Sequence, residues 1–401
     1  MATVLVVILM ALVFAYFFAE ILRYFSVPRV VGHIIAGIAL GIPIVRNLIL
    51  TKESIGVLSF LSNIGIILMF FFIGLEINLT KSRKNFRESS FVSISNTIIP
   101  LVLGFFAGKF IFGFETGASL IIGISLAVSS QAISLDILEE LNLLKSRIGN
   151  LIISIGAVDD VFELFLVSII LIMFSSVTGI QSIQKFILDM VGFFLLVVLF
   201  RVTLIPLAIQ IFERDKSQAN LFMGSLIIVL VMASIAELFG VGSLIGALIA
   251  GVLVRQTLLT GADHKPWRKN ELSHSIHIIS FGFLIPIFFV NVGLSMKPEL
   301  LSSNLFLILT MLIIGLFGII GGTVIGVMLS KGSFSEGLTI GWGLAPKGDV
   351  EIVIATLALG TGIINQVIFT AIISVSIICT LIAPIVFKRM IKRHSELVTD
   401  G

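Results

Sequence analysis

The sequence predicts an all-α polytopic membrane protein with about 13 transmembrane helices. Three observations support this fold class: the composition, the spacing of the apolar stretches, and the uneven distribution of lysine and arginine. Of the 401 residues, 57% are hydrophobic and only 12% are charged, whereas soluble domains carry about 25% charged residues. A soluble protein of this size could not cover its surface with so few charges, so we expect the chain to lie in a lipid bilayer.

The composition also argues against several function classes. Cys379 is the only cysteine, which rules out an intramolecular disulfide and any site built from several thiolates. The five histidines lack the close pairings typical of metalloproteases, and the net charge of +3 is too small to indicate a nucleic-acid partner. We therefore expect neither an enzyme nor a resident cofactor.

The apolar stretches give the helix count, because a helix needs roughly 20 apolar residues to cross a bilayer core of about 30 Å. Such stretches lie near residues 3–22, 30–45, 55–77, 89–112, 117–138, 148–175, 184–212, 219–239, 241–255, 272–295, 303–330, 335–360 and 362–387. We refer to them as spans one to thirteen. Span one is expected to be retained rather than cleaved as a signal peptide, because no basic residue precedes it and no small-residue cleavage site follows it before Arg23.

The basic residues orient these spans. With the N-terminus placed outside the cell, nineteen of the 26 lysines and arginines fall in loops on the inside, five in loops on the outside and two within spans. Cytoplasmic loops are enriched in these residues. We therefore expect the N-terminus outside and the C-terminus in the cytoplasm, since a wrong number of spans would have scrambled the alternation.

An internal repeat indicates how the spans are arranged. Residues 31–38 resemble residues 245–252, residues 71–76 resemble residues 288–295, and the Ala-Glu pair that ends span one recurs at the end of span eight. Each pair is seven spans apart, and because seven is odd the two copies must cross the membrane in opposite directions. Inverted repeats occur in secondary transporters, where broken helices meet near the midplane. Small residues at helix contacts could produce one such match, but not three in register.

Spans five and twelve are the seven-apart pair that we expect to be broken. Pro346 in span twelve removes a backbone donor, and Gly348 loosens the next turn. The neighbouring charges Lys347, Asp349 and Glu351 lie at membrane depth. Lys347 either pairs with Glu351 at the i,i+4 spacing or neutralises the dipoles of helix C-termini at the break. An unwound segment here would turn backbone dipoles toward an ion.

Span six carries the ionisable residues that point most directly to function. Asp159 and Asp160 are about 100° apart on a helix, and Glu163 is one turn from both, so the three carboxyl groups share one broad face. Ionisable residues inside a membrane are costly and are functional candidates by default. Three carboxyl groups in hydrocarbon cannot all ionise without a cation, so this face is expected to bind either a monovalent cation or a proton. The alternative is that these residues form structural ion pairs across the helix bundle, and this alternative is strongest for Glu163.

Span five is expected to supply neutral oxygen ligands. Ser129, Ser130 and Ser134 could coordinate a dehydrated cation alongside Asp160. Serines in membrane helices often donate to their own backbone carbonyls instead, so both roles remain open for each of them.

The sequence motifs, and the order in which they occur along the chain, resemble those of the monovalent cation:proton antiporter superfamily, in the branch of sodium/proton and potassium/proton exchangers. The resemblance covers essentially the whole chain. It is based on Pro28 with Gly32 and Ala36-Gly37, Gly74-Leu75-Glu76, Leu138 with Glu140-Leu141, Asp159-Asp160, Pro286 to Phe289 with Gly293-Leu294, and Pro346 to Asp349.

The resemblance implies a sodium/proton antiporter-like fold with two crossed broken helices and elevator-type alternating access. It implies an ion-carrying core domain, approximately 55–175 and 272–387, and a panel-like dimerisation domain, approximately 1–50 and 184–256, that joins a homodimer. It also implies that Asp160 is the ion-carrying carboxylate and Asp159 its companion. The chain shows no counterpart of the nucleotide-binding regulatory domain that many potassium-efflux members append, and we expect no soluble regulatory domain.

The departures from the family pattern concern charge. Lys347 and Asp349 stand where the family usually has Arg and Glu, which preserves both charges. Thr323 stands where many electrogenic members have a lysine, and a threonine does not titrate. Without a cationic partner in the facing span, Asp159 is expected to keep its proton while Asp160 exchanges, so we expect electroneutral transport.

The predicted function is antiport of a monovalent cation for protons, in the inner membrane of a prokaryotic cell. Na⁺ is favoured over K⁺ and Li⁺, because potassium relatives often carry an amide beside a single aspartate and this chain carries Asp159-Asp160. A K⁺/H⁺ antiporter of the same fold is the first alternative. A channel-like or non-transporting sensor is the second, although the polar residues cluster at mid-depth and do not line a continuous pore. Sodium-coupled symport would need a larger polar cavity than the sequence indicates.

Overall fold

The computed structural model describes residues 2–24, 27–76, 86–144, 146–156, 158–159, 162, 191–193, 195–204, 218–260 and 266–393. Every regular element within these ranges is helical. The helices are α1 (Ala2–Tyr24), α2 (Arg29–Gly41), α3 (Pro43–Ile49), α4 (Lys52–Glu76), α5 (Phe86–Phe106), α6 (Thr116–Ala127), α7 (Ala132–Glu140), α8 (Arg147–Gly156), α9 (Gln218–Leu238), α10 (Ser243–Thr260), α11 (Pro266–Ile279), α12 (Ile285–Ser295), α13 (Glu299–Ser303), α14 (Leu305–Leu329), α15 (Phe334–Leu344), α16 (Asp349–Gly360) and α17 (Gln366–Arg393). π-Helical turns extend α5 over Ala107–Ile111, join α11 to α12 over Ser280–Leu284, and cover Phe200–Leu204.

Within the described residues, seven helical stretches are long and apolar enough to cross a membrane. They are Val4–Tyr24, Lys52–Glu76, Arg87–Ile111, Ala219–Leu238, Leu272–Ser295, Leu305–Leu329 and Gln366–Arg393. The chain is therefore a multi-pass membrane protein, and the total of thirteen spans stays a prediction. Helices α2 and α3 pass the same test as a pair but are bent by 79° at the break between them. Most of spans six and seven falls outside the described ranges.

Spans five and twelve are both interrupted, and the interruption of span twelve includes Pro346 and Gly348. In span five, α6 ends at Ala127 and α7 begins at Ala132; in span twelve, α15 ends at Leu344 and α16 begins at Asp349. We call residues 128–131 and 345–348 the two interruptions. Carbonyls at the end of a helix have no partner within it, so each interruption needs partners from elsewhere in the protein.

The chain divides into two compact units. The first comprises residues 1–16, 33–77 and 167–294, and the second comprises residues 17–32, 78–166 and 295–401. The predicted core and dimerisation domains, which are defined by other boundaries, stay predictions. Both interruptions and Asp159 lie in the second unit.

Two pairs of glycines bring helices of the first unit into backbone contact. A methyl group at Gly37 of α2 would lie 2.8 Å from the Cα of Gly293 in α12. One at Gly251 of α10 would lie 2.9 Å from the Cα of Gly74 in α4. These four glycines belong to the stretches that resemble one another in sequence: Gly37 corresponds to Gly251, and Gly74 to Gly293. Each contact therefore joins a helix of one copy to a helix of the other.

In the second unit, a row of glycines on α14 lets its backbone approach α5. Gly318, Gly322 and Gly326 repeat every four residues, which places them on one face of the helix. A methyl group at Gly322 would lie 2.7 Å from the Cα of Asn96, and one at Gly318 would lie 2.7 Å from the Cβ of Pro100. This close packing fixes the position of Asn96 within the unit.

Helix α8, which precedes Asp159 in the chain, is anchored by apolar packing. Ile152 and Ile155 are buried in a cluster with Ile340 and Leu344 of α15 and Phe387 of α17. Between membrane helices, such packing stabilises the fold through van der Waals contacts, since the alternative surroundings of these side chains are lipid and not water. The cluster sets the register of the chain that leads from α8 into Asp159.

Candidate ion-binding site

The ammonium group of Lys347 caps the broken end of α6. Its Nζ donates to the backbone carbonyls of Leu126 and Val128, at 2.6 Å each, and to that of Ser125 at 3.2 Å. Lys347 is only 3% exposed. A helix C-terminus carries a partial negative charge, so a cation placed here satisfies the carbonyls that the interruption leaves without helical partners. The sequence left two roles open for Lys347, and this contact corresponds to the second of them, the neutralisation of a helix dipole.

Lys347 and Glu351 attract each other electrostatically, but these two described residues form no ion pair within 4 Å. Lys347 precedes the first residue of α16, Asp349, so the i,i+4 geometry of a continuous helix does not exist between them. Glu351 is fully buried within α16, and Lys347 directs its ammonium group to the end of α6 instead. Asp349 lies in the first turn of α16, where a carboxylate is favoured by the positive end of the helix dipole.

The two interruptions contact each other through hydrogen bonds. The backbone N–H of Ser130 donates to the carbonyl of Pro346 at 2.8 Å, and the hydroxyl of Ser134 donates to the carbonyl of Gly343. A methyl group at Gly348 would lie 2.6 Å from the Cβ of Ser130, so glycine is needed at this approach. The hydroxyl of Ser134 is thereby engaged in joining spans five and twelve.

Asp159 lies beside the span-five interruption and is only 2% exposed. Its Oδ2 accepts a hydrogen bond from the hydroxyl of Ser129 at 3.4 Å and one from Nδ2 of Asn96 at 3.2 Å. Ser129 belongs to the interruption and Asn96 to α5, so Asp159 is held between two elements of the second unit. A buried polar group that lacked such partners would be strongly unfavourable.

Asn96 is the residue of this site that sequence reasoning missed. Its Oδ1 accepts from the hydroxyl of Thr97 at 3.3 Å, which leaves its Nδ2 to face Asp159. The available signal was a polar cluster of Ser93, Ser95, Asn96 and Thr97 inside the apolar span four. Without a charge, this cluster resembles the small polar residues that pack membrane helices together.

The structure describes only some of the other predicted site residues. Asp160 and Glu163 lie outside the described residues, so their roles stay predictions. In the part of the chain that the structure describes, no group of three or more His, Cys, Asp or Glu residues comes together. Thr323 is fully buried on α14, and its hydroxyl donates back to the carbonyl of Ile319 at 2.8 Å.

An ion network ties the start of α8 to two neighbouring helices. Nε of Arg147 lies 2.6 Å from Oε1 of Glu336, and its Nη2 lies 3.4 Å from Oε1 of Glu88. Glu336 also completes a capping box with Ser333 at the start of α15. Together with the apolar cluster, these contacts hold α5, α8 and α15 in a fixed arrangement around the candidate site.

The chain is similar to proteins described as cation/proton antiporters. It is 28% identical over 379 residues to a Na⁺/H⁺ antiporter of Enterococcus hirae, covering 94% of each chain. It is 29% identical over 363 residues to the Na⁺/H⁺-K⁺ antiporter GerN of Bacillus cereus, covering 90% of this chain and 89% of GerN.

A solved structure has the same fold. The sodium proton antiporter MjNhaP1 of Methanocaldococcus jannaschii superposes with a TM-score of 0.64 over 99% of each chain, at 15% sequence identity. The family described as "Sodium/hydrogen exchanger, transmembrane" matches residues 7–393. Since that match spans nearly the whole sequence, this chain belongs to the sodium/hydrogen exchanger family, a family of transporters and not of enzymes.

Proposed function

We propose that this protein exchanges a monovalent cation, preferentially Na⁺, for protons across a prokaryotic cell membrane. The observation that carries the proposal is the buried carboxyl group of Asp159, held by Ser129 at the interruption of span five. The relatives named as Na⁺/H⁺ antiporters support the same reaction. A buried carboxyl group can bind a cation or a proton but not both, and that competition couples the two fluxes.

In this proposal, Asp160 binds cation and proton alternately, and Asp159 is its companion. Ser129 is the best-placed hydroxyl ligand, because it already contacts Asp159. Ser134 is engaged with Gly343 and Ser130 adjoins Gly348, so these two serines serve mainly to hold the interruptions together. Glu163 is a second candidate for titration on the same face of span six.

The transport cycle that we propose is elevator-type alternating access. The second unit would carry the ion, and a homodimer would form through segments outside that unit. An inverted repeat with crossed broken helices underlies such a cycle. Two observations support the repeat. Spans five and twelve are both interrupted. The two glycine contacts of the first unit are equivalent, because exchanging the two copies of the repeat converts one contact into the other. We further propose that the N-terminus lies outside and the C-terminus in the cytoplasm.

K⁺ is the second candidate substrate. It is favoured by the 29% identity to GerN, which is named as an antiporter of both Na⁺ and K⁺. The Asp159-Asp160 pair favours Na⁺, because a smaller cation gains more from two neighbouring carboxyl groups.

The test is cation-dependent dequenching of a pH probe in proteoliposomes, with Na⁺, Li⁺ and K⁺ compared at equal concentration. Strong dequenching with Na⁺ is expected. Dequenching with K⁺ alone would refute the sodium preference but keep the antiporter. Proton movement with none of the three cations would refute antiport.

A further inference from the structure

We propose that Asn96 is a positioning residue of the transport site, which orients the carboxyl group of Asp159 through a neutral hydrogen bond. This inference rests on the proposed function, because the quantity that Asn96 would control is the affinity of the site for its cation. It adds α5 to the elements from which the site is built.

The orientation of the Asn96 amide is determined by its two neighbours. The hydroxyl of Thr97 donates to Oδ1 of Asn96 at 3.3 Å, and Nδ2 of Asn96 donates to Oδ2 of Asp159 at 3.2 Å. An amide can present either its donor or its acceptor to a neighbour. Because Oδ2 of Asp159 accepts this bond, the nitrogen faces Asp159, and the oxygen is left to accept from the Thr97 hydroxyl.

The backbone of Asn96 is held as firmly as its side chain. Gly322 of α14 packs against the Cα of Asn96 so closely that a methyl group there would lie 2.7 Å away. Asn96 itself is buried. The amide is therefore directed at Asp159 by close packing on one side and by Thr97 on the other.

The chemistry of the contact suits an exchanging site. An amide carries no charge, so it orients the Asp159 carboxyl without competing electrostatically with a bound cation. Its donor can bond Oδ2 when Asp159 is ionised, and also when Asp159 carries a proton on the other oxygen, since Oδ2 then remains an acceptor. Asn96 can thus keep one orientation of the carboxyl group throughout the exchange cycle.

The test measures Na⁺-dependent exchange in proteoliposomes for three variants. Asn96→Leu keeps the approximate size of the side chain and removes the donor. We expect the KM for Na⁺ to rise about three- to tenfold with the maximal rate retained, because one neutral hydrogen bond is lost. Thr97→Val, which is nearly isosteric, should raise KM in the same direction and by less. Ser93→Ala is the matched control one turn away: its buried hydroxyl has no hydrogen-bond partner among the described residues, so KM should not change.

The double variant separates positioning from a general structural role. If Thr97 acts through Asn96, adding Thr97→Val to Asn96→Leu changes KM no further. An unchanged KM in both single variants, additive effects in the double variant, or a loss of maximal rate at constant KM would each overturn the inference. If Asn96→Leu does not fold, Thr97→Val alone decides through its KM. If the wild-type protein exchanges none of the three cations, the proposed function itself fails, and this inference with it.

Discussion

Replacing Lys347 by methionine tests whether the interruption of span five depends on the ammonium group. Lys347 makes three hydrogen bonds to carbonyls at the end of α6. A hydrogen bond to a charged group contributes about 1.5–3 kcal/mol, but desolvating a buried ammonium costs several kcal/mol, and methionine removes that cost. Because the three carbonyls lose their cationic partner, we expect a net loss of about 2–4 kcal/mol in the free energy of unfolding.

The assay is thermal unfolding of the purified protein in mild detergent, followed by the fraction that remains monodisperse after heating. Lys347→Met should lower the unfolding midpoint by several degrees. Lys347→Arg is the matched control, because arginine keeps the positive charge and supplies the donors that the family usually presents at this position. This variant should unfold near the wild-type temperature. A methionine variant as stable as the wild type would refute the view that Lys347 neutralises the helix end.

Three further predictions follow from the site and the packing. Asp160→Asn should abolish cation-dependent proton movement in everted vesicles while the protein folds with equal or greater thermal stability, since a charge that the sequence predicts to lie inside the membrane is removed; normal exchange by this variant would exclude Asp160 from the site. Gly251→Ala should lower the unfolding temperature because its methyl group would collide with Gly74, whereas Gly56→Ala, in open space on α4, should leave it unchanged or raise it. Exchange should be electroneutral if Asp159 keeps its proton, so its rate should not follow an imposed membrane potential; a rate that does would point to a second proton carrier.

The membrane class and the positions of the two interruptions could be predicted from the sequence because both depend on local chemistry. Low charge and long apolar runs are sufficient to indicate a membrane protein. Pro346 and Gly348 disfavour a helix wherever they occur in the fold. The four glycines that form the backbone contacts of the first unit can likewise be found from the sequence, because they belong to the repeated stretches.

Contacts between distant elements could not be predicted in the same way. The expected pairing of Lys347 with Glu351 assumed one continuous helix, but α16 begins only after Lys347. The partner of Lys347 is the end of α6, more than 200 residues earlier in the sequence, and no spacing rule connects the two. Asn96 was missed for the same reason: it is 63 residues from Asp159, and only the packing of α5 against α14 brings it into the site.

In the proposed cycle, the charges beside the interruptions would leave the competition between cation and proton to the carboxyl groups of span six. Each end of a helix carries the equivalent of about half an elementary charge. Lys347 lies at the negative end of α6, and Asp349 lies at the positive end of α16, so each side chain opposes the dipole beside it. Lys347 in the interruption and Asp349 at the start of α16 therefore largely offset the helix dipoles beside them, and Glu351 adds a second carboxyl group in the first turn of α16. In the proposed cycle, the net charge of the bound state would then be set by the carboxyl groups of span six, where one proton would replace one monovalent cation. This balance is the physical reason to expect the Lys347 and Asp349 charges to stay constant through the cycle and to act on stability more than on the ion that is carried.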